Sequence, residues 1–563
     1  MKKIIPVLIA IVLIIVVGAA AFGAKLLDRY SYSKEKANLA EYFGVTGDDD
    51  VPVILQDEKI EEHAKLWDGT CYFDFATVQK YFNDRFYEDK KEGLLLYTLP
   101  DAIVRTQIGT SEVSKNGETE SRDYVLARYE GEQLYVAADF VKEYTNFSYE
   151  LFTDPNHMQV YTEWNQRETA TVTKDTQVRY QGGIKSDILR EISKGESVTV
   201  LEQMETWCKV KTQDAYIGYV ENKKLSEITT QEPIPVTDYE EPVYTSNTRD
   251  HKINLAWHGV DGAAGNDTLE SMLQNTKSIN VISPTWFALT DNEGNFSSAA
   301  TQDYVDRAHN MGLEVWGLVD NFTKGQVDTY EVLAGTTNRT KLIDGLVAEA
   351  LQYGLDGINV DFENITQEAG QPFIEFIREL SIPCREHGLV LSVDNYVPMD
   401  HTDHYDRREQ GVVADYVIIM GYDEHYKGSK EAGSVASIDF VERGIANTVE
   451  QVPAEKVINA IPFYTRIWET RGTTVDSQAV GMEIARQYIE NHSIATVWDE
   501  TTCQNYGEYQ SGDSYFQVWL EDEESIQVKL NIMSKYGLAG VAEWKLGFDE
   551  PDVWNVIEAY MNQ

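Results

Sequence analysis

From Asn254 to the C-terminus, apolar strand-like runs alternate with helix-period stretches, and this alternation constrains the fold more than any other feature of the chain. Eight strand candidates begin near Ile253, Ile279, Leu313, Leu355, Gly388, Asp415, Lys456 and Gly537. Helical stretches between them include 299–311, 340–353, 371–387, 438–450 and 522–536. The pattern predicts an α/β fold, a (β/α)8 barrel over 250–563, whose active site sits at the C-terminal ends of the strands. The gap between the seventh and eighth strands is too long for a loop. Residues 466–521 carry a helix period at 478–491 and β-like runs at 495–499, 505–510 and 515–520. They read as a small α+β insertion able to wall a groove on the catalytic face.

The fourth strand concentrates the chemistry. In Leu355-Asp356-Gly357-Ile358-Asn359-Val360-Asp361-Phe362-Glu363-Asn364, strand alternation points Asn359, Asp361 and Glu363 one way and Ile358, Val360 and Phe362 the other. Two crowded carboxylates cannot both stay ionised cheaply, so one pKa rises, as a general acid near neutral pH requires. Solvated strands of antiparallel sheets alternate in the same way. The place of this stretch within an eightfold repeat, with Glu363 at a strand tip, favours catalysis.

At 563 residues the chain exceeds one core, and several domains are expected. It carries 48 basic and 93 acidic residues, net −45, which disfavours nucleic acid and anionic membrane surfaces as partners. Met1-Lys2-Lys3 precedes an apolar run from Ile4 to about Ala24, long enough to span a bilayer with a cytoplasmic N-terminus. Residues 1–24 are thus an anchor in the cell membrane, or a signal peptide with Ala19 and Ala21 near its cleavage site. Either exports the rest. Cys71, Cys208, Cys384 and Cys503 are scattered without metal-site spacing and are expected as free thiols.

Residues 25–50 read as a polar linker. In 51–168, Tyr72–Tyr81 lies over Tyr135–Tyr144 at an offset of 135 − 72 = 63 positions, and each copy reads as strand, helix, strand. This predicts an α+β domain built from a duplicated unit, similar to the N-terminal domain type named after copper amine oxidases. Residues 169–228 hold short β runs between Gly and charged turns. Thr206-Trp207-Cys208-Lys209-Val210-Lys211 and Ala215-Tyr216-Ile217-Gly218-Tyr219-Val220 resemble bacterial Src-homology-3-like domains, a likeness that implies a small β-barrel binding cell-wall peptide. A proline-bearing linker spans 229–249.

In the barrel, Asp356-Gly357-Ile358-Asn359-Val360-Asp361-Phe362-Glu363 resembles the DGxDxDxE signature of glycoside hydrolase family 18, the chitinase-like fold. Met420-Gly421-Tyr422-Asp423 matches the family's MxYD motif on strand six, and Trp544 sits where the family keeps a strand-eight tryptophan. The Asn359 variant, with the anchor and the wall-binding type of module, is most similar to the spore-cortex and cell-wall N-acetylglucosaminidases. The resemblance implies retaining, substrate-assisted hydrolysis. Glu363 is then the acid and later the base. Asp361 holds the acetamido N–H and raises Glu363's pKa by its charge, Tyr422 donates to the acetamido oxygen, and Trp544 stacks under the sugar. Met420, Asp423, Trp286 and Asn321 are further candidates for lining the groove. Trp257, Trp316 and Tyr396 also lie near strand ends and are open to lining the groove, though for each of them, as for Trp286 and Asn321, packing is the commoner role of such a residue taken alone.

Two departures stand out. Asn359 replaces an aspartate that normally shares a proton with the residue two positions on; an amide can hydrogen-bond Asp361 but cannot titrate. Strand three, Val315-Trp316-Gly317-Leu318-Val319-Asp320-Asn321, lacks the serine-and-glycine motif of true chitinases. The expected substrate is therefore peptidoglycan of wall or cortex; chitin, or glycan binding without catalysis, remain the alternatives. Phosphate-loop, HExxH and GxSxG motifs are absent. His401 and His404 have no third ligand in view, so no metal or cofactor is expected.

Overall fold

The computed structural model describes residues 4–232, 239–323, 325 and 327–563; Met1-Lys2-Lys3 and the proline-bearing part of the linker lie outside them. The chain forms two compact units. One comprises Met1–Phe86, Thr106–Val113 and Glu120–Glu241, the other Tyr87–Arg105, Ser114–Thr119 and Pro242–Gln563.

The N-terminal unit begins with helix α1 (Ile5–Tyr30), which is long and apolar enough to cross a membrane and has no buried residue. In the first sheet, strands Thr70–Asp74 and Gln133–Ala137, which the 63-residue offset aligns, each run into a short helix. They lie side by side and antiparallel, pairing Tyr72 with Ala137 and Asp74 with Tyr135. A second seven-stranded sheet, running from Arg167–Thr171 to Thr229–Gln231, encloses Val178, Leu189, Val198, Val210 and Val220. Its alternating inward residues explain the period-two pattern read in this stretch.

The C-terminal unit is a closed parallel barrel. Its strands are β1 (Ile253–His258), β2 (Val281–Leu289), β3 (Glu314–Asp320), β4 (Gly357–Asp361), β5 (Val390–Tyr396), β6 (Tyr416–Met420), β7 (Val457–Pro462) and β8 (Gly540–Trp544). Each pairs with its neighbours in chain order, and β1 closes the ring by pairing with both β2 and β8. Inward positions such as Leu255, Trp316, Leu318, Ile418, Ala460 and Ala542 fill the barrel. Outward positions such as Val315, Ile358, Val360, Val393, Ile419 and Val541 pack under the helices. Gly357, which opens β4, has no room for a side chain: a Cβ there would lie 2.7 Å from the Val390 carbonyl oxygen.

Between β7 and β8, strands Tyr464–Arg471, Thr474–Gly481, Thr496–Asp499, Gln504–Ser511 and Ser514–Leu520 form a five-stranded antiparallel sheet. The helix in this insertion begins at Met482. Residues 478–481, read as helical from their period, instead complete a hairpin with Tyr464–Arg471.

Unexpectedly for the 51–168 reading, Tyr87–Arg105 belongs to the barrel unit. The Asp89 carboxylate accepts from the Thr336 N–H and hydroxyl, both at 2.6 Å, at the start of α3 (Thr336–Tyr353), just after α2 (Thr329–Ala334). The Tyr87 hydroxyl donates to Ala334 O (2.8 Å), and the Thr98 hydroxyl to Glu375 on α4 (Gly370–His387; 2.6 Å).

Candidate active site

Strand alternation puts Asn359 and Asp361 inward on β4, with Glu363 two residues past its end. Asp320 on β3 pairs in register with Asp361, and on β5 Ser392, Asp394 and Tyr396 share the inward face. The result is an acidic rim over a packed barrel.

Glu363 is half-buried and held by two residues. The Tyr396 hydroxyl donates to its Oε2 at 2.7 Å. Asn321 clamps its backbone, donating to the Glu363 carbonyl (2.8 Å) and accepting from the Glu363 N–H (2.9 Å), while also donating to Thr329 (2.9 Å). Burial pushes the Glu363 carboxyl up, opposed by the Tyr396 hydrogen bond and reinforced by the charges of Asp423 and Asp320. The like-charge interaction between Asp361 and Glu363 is expressed on Asp361, whose carboxyl Glu363 helps to raise.

Asp361 is buried, and no hydrogen-bond donor among the described residues reaches its Oδ1. Its carboxyl is held well above the usual range by burial first, then by Asp394, Glu363 and Asp320. The hydrogen bond expected from Asn359 to Asp361 is not formed. The Asn359 carbonyl accepts from Trp257 Nε1 (2.9 Å) and Ser283 Oγ (3.1 Å), and its amide donates to Ser392 Oγ (3.0 Å) and Asp394 Oδ1 (2.8 Å).

The end of β6 carries Met420, 7% exposed and inward like Tyr416 and Ile418, followed by Gly421-Tyr422-Asp423. Gly421 lets the chain press on β7, for a Cβ would meet the Ala460 carbonyl oxygen and the Asn459 side-chain oxygen, each at 2.8 Å. Tyr422 packs edge-to-face on Tyr464 (6.1 Å), and among the described residues none hydrogen-bonds its hydroxyl. Burial and the charges of Tyr464, Asp361, Asp394 and Asp423 keep that phenol protonated. Asp423, at φ +59°, accepts from the Tyr464 hydroxyl at 2.5 Å. Trp544 stands edge-on to Trp257, ring centres 5.7 Å apart.

Trp286 is elsewhere. Alternation from Ile282 already turns it out of the barrel, where it is 3% exposed, donates to Asn266 (2.8 Å) and packs on Tyr304; the register shift between Thr285 and Phe287 sets Phe287 on the same outward side. It does not line the groove. Conversely, Tyr396 and Asp394 do join the site, and Ser392-Val393-Asp394-Asn395-Tyr396 carries the same period-two signal as β4. Among the described residues, no cluster of three His, Cys, Asp or Glu is arranged to hold a metal.

Replacing Tyr396 by Phe removes the donor that stabilises ionised Glu363. The acid then stays protonated to higher pH, and the alkaline limb of the kcat/KM profile is expected to move upward. One hydrogen bond to a charged group limits the loss in kcat to about tenfold. A limb that stays put would show that Tyr396 does not tune the acid.

A closed βα barrel with a half-buried carboxylic acid and a tyrosine at its strand ends has its acid where barrel enzymes carry their chemistry, and the class of reaction follows from the family. The model of glycosyl hydrolases family 18 matches residues 244–549, over half of the chain, and the chain belongs to that family. It is a glycosidase. A bacterial SH3 domain model matches 174–226. The chain is 25% identical over 291 residues to the uncharacterized glycosylase YvbX of Bacillus subtilis (strain 168), covering 50% of this chain and 84% of that one. It is 26% identical over 241 residues to the cortical fragment-lytic enzyme of the same organism, covering 41% of this chain and 56% of that enzyme, little over half its length. The chitinase structure from Chromobacterium violaceum ATCC 12472 matches at 25% identity and a TM-score of 0.50, covering 55% of this chain and 99% of that one.

Proposed function

We propose that this glycosidase cleaves N-acetylglucosaminyl bonds of peptidoglycan, in the cell wall or spore cortex, by substrate-assisted catalysis with retention. The observation that carries the reading is the pairing of a buried Asp361 oxygen and a Tyr422 hydroxyl, neither with a hydrogen-bond partner among the described residues, at the strand ends that carry Glu363. An acetamido group offers the complementary N–H and C=O. In this reading Glu363 protonates the leaving oxygen, the acetamido oxygen attacks C1 to give an oxazolinium ion, and Asp361 and Tyr422 stabilise the charge that develops. Glu363 then takes a proton from the water that opens the ring. Trp544 and Met420 floor the sugar site. Peptidoglycan is favoured over chitin by the cortical relative and by the SH3 domain, which would bind wall, while α1 anchors the chain in the membrane or directs its secretion.

The test is the 25–563 protein on peptidoglycan sacculi and on chitin oligomers, with new reducing ends identified by mass spectrometry. N-acetylglucosamine reducing ends from sacculi are expected. Release from chitin alone would make it a chitinase, and release from neither a glycan-binding protein. Turnover of a glycoside lacking the 2-acetamido group would refute substrate assistance.

A further inference from the structure

Asn359 has nothing left to offer Asp361, because its two N–H bonds and its carbonyl are all engaged by Trp257, Ser283, Ser392 and Asp394. The strand register shows what takes its place. Strands β4 and β5 pair Asn359 with Ser392 and Val360 with Val393. The next pair in line is Asp361 with Asp394, on the inward faces of strands about 4.8 Å apart. On the other side β3 pairs Asp320 with Asp361. Three carboxyls therefore stand in one row across β3, β4 and β5, and Asp361 and Asp394 are 5% and 2% exposed.

The groups around this pair are acids or neutral. Asp394, Glu363 and Asp320 act on Asp361; Glu363 and the Asn359 amide act on Asp394; Tyr422, two residues past β6, is acted on by both, and Tyr405 by Asp361. No cation is among them. Two buried carboxylates in such surroundings cannot both be ionised, so the pair holds at least one proton.

We propose that Asp394 is the proton-holding partner of Asp361, doing from β5 what an acid at position 359 would do from within β4. This rests on the substrate-assisted reading above. Before substrate enters, one proton is shared between the two carboxyls. When the acetamido N–H meets Asp361, the proton resides on Asp394 and Asp361 is the carboxylate; no proton is gained or lost. The Asn359 N–H bond to Asp394 Oδ1 fixes the orientation of that acid. Asp394 is thus a positioning residue that acts through Asp361.

The test moves the acid between strands. Asp394→Asn and the double variant Asn359→Asp/Asp394→Asn are compared with wild type on 4-nitrophenyl N,N′-diacetylchitobioside. Its activated leaving group needs little help from Glu363, so acetamido attack is observed. Asp394→Asn is expected to lose about 10²-fold in kcat, the lower end of what a proton-handling group contributes, and to change the pH profile, with KM nearly unchanged. The double variant is expected to regain most of kcat. A wild-type pH profile in Asp394→Asn, or a double variant no faster than the single, overturns the proposal. Thermal unfolding followed by circular dichroism identifies loss of fold; if Asp394→Asn unfolds, the double variant alone decides, and slow turnover from a folded protein refutes the assignment. Absence of wild-type turnover on this substrate and on sacculi would instead remove the functional reading beneath it.

Discussion

Glu363→Gln is expected to lower kcat on sacculi or chitin oligomers by about 10²–10⁴, the range contributed by a positioned general acid. KM and the unfolding midpoint should stay near wild type. The substitution preserves shape, and the clamp from Asn321 engages the backbone of residue 363, not its carboxyl. What is lost is the proton. A sugar alkoxide is a poor leaving group unless protonated, whereas 4-nitrophenolate departs without help, so the loss on a nitrophenyl glycoside should be markedly smaller. The pH profile follows from the same residue. Glu363 must be protonated at the first step, and burial holds its carboxyl above the ordinary range, so the alkaline fall in kcat/KM should lie above where an exposed glutamate titrates. A variant that releases product from sacculi at wild-type rate would remove Glu363 from the reaction.

The parts of the site that were legible in the sequence are those set by local period. A strand buried on both faces forces side chains to alternate, so Ile358, Val360 and Phe362 under the helices and Asn359 and Asp361 inside the barrel follow from spacing alone. Trp286 was misplaced although alternation from Ile282 turns it outward, while Phe287 is outward only because of the register shift before it, which nothing in Thr285-Trp286-Phe287 announces. The partners of Asn359 were hidden for another reason. They come from β1, β2 and β5, and a choice between Asp361 and Asp394 depends on where an amide side chain rotates once those strands are assembled. The segment Tyr87–Arg105 was likewise misread, since a repeat pattern reports how a strand is built and not which core receives it.

That segment leads to the largest expected effect on stability, at Arg339. This arginine lies on α3 with its side chain fully buried, donating to Glu379 (2.8 Å) and to the Leu333 carbonyl (2.7 Å), with the Tyr87 ring 4.9 Å from its guanidinium. Nearby on α4, Arg378 bridges Glu375 (3.2 Å) and Glu409 (2.8 Å), and Thr98 donates to Glu375. Arg339→Met leaves the Glu379 carboxylate buried without its cation, and stripping one partner from a buried pair costs about 3–5 kcal/mol. A correspondingly lower urea midpoint is expected for the barrel unit. In the double variant Arg339→Met/Glu379→Leu both charges are gone, and apolar replacement of a buried pair is close to neutral, so most of the loss should return. If the single variant unfolds at the wild-type midpoint, water reaches this pair and the core is looser than its packing indicates. The same arrangement bears on any shortened enzyme. A fragment starting at Pro242 would lack Asp89, which caps α3, Thr98, which serves Glu375, and Tyr87, which covers Arg339. It should unfold at lower urea than the 25–563 protein, and assays of the active site belong on the longer chain.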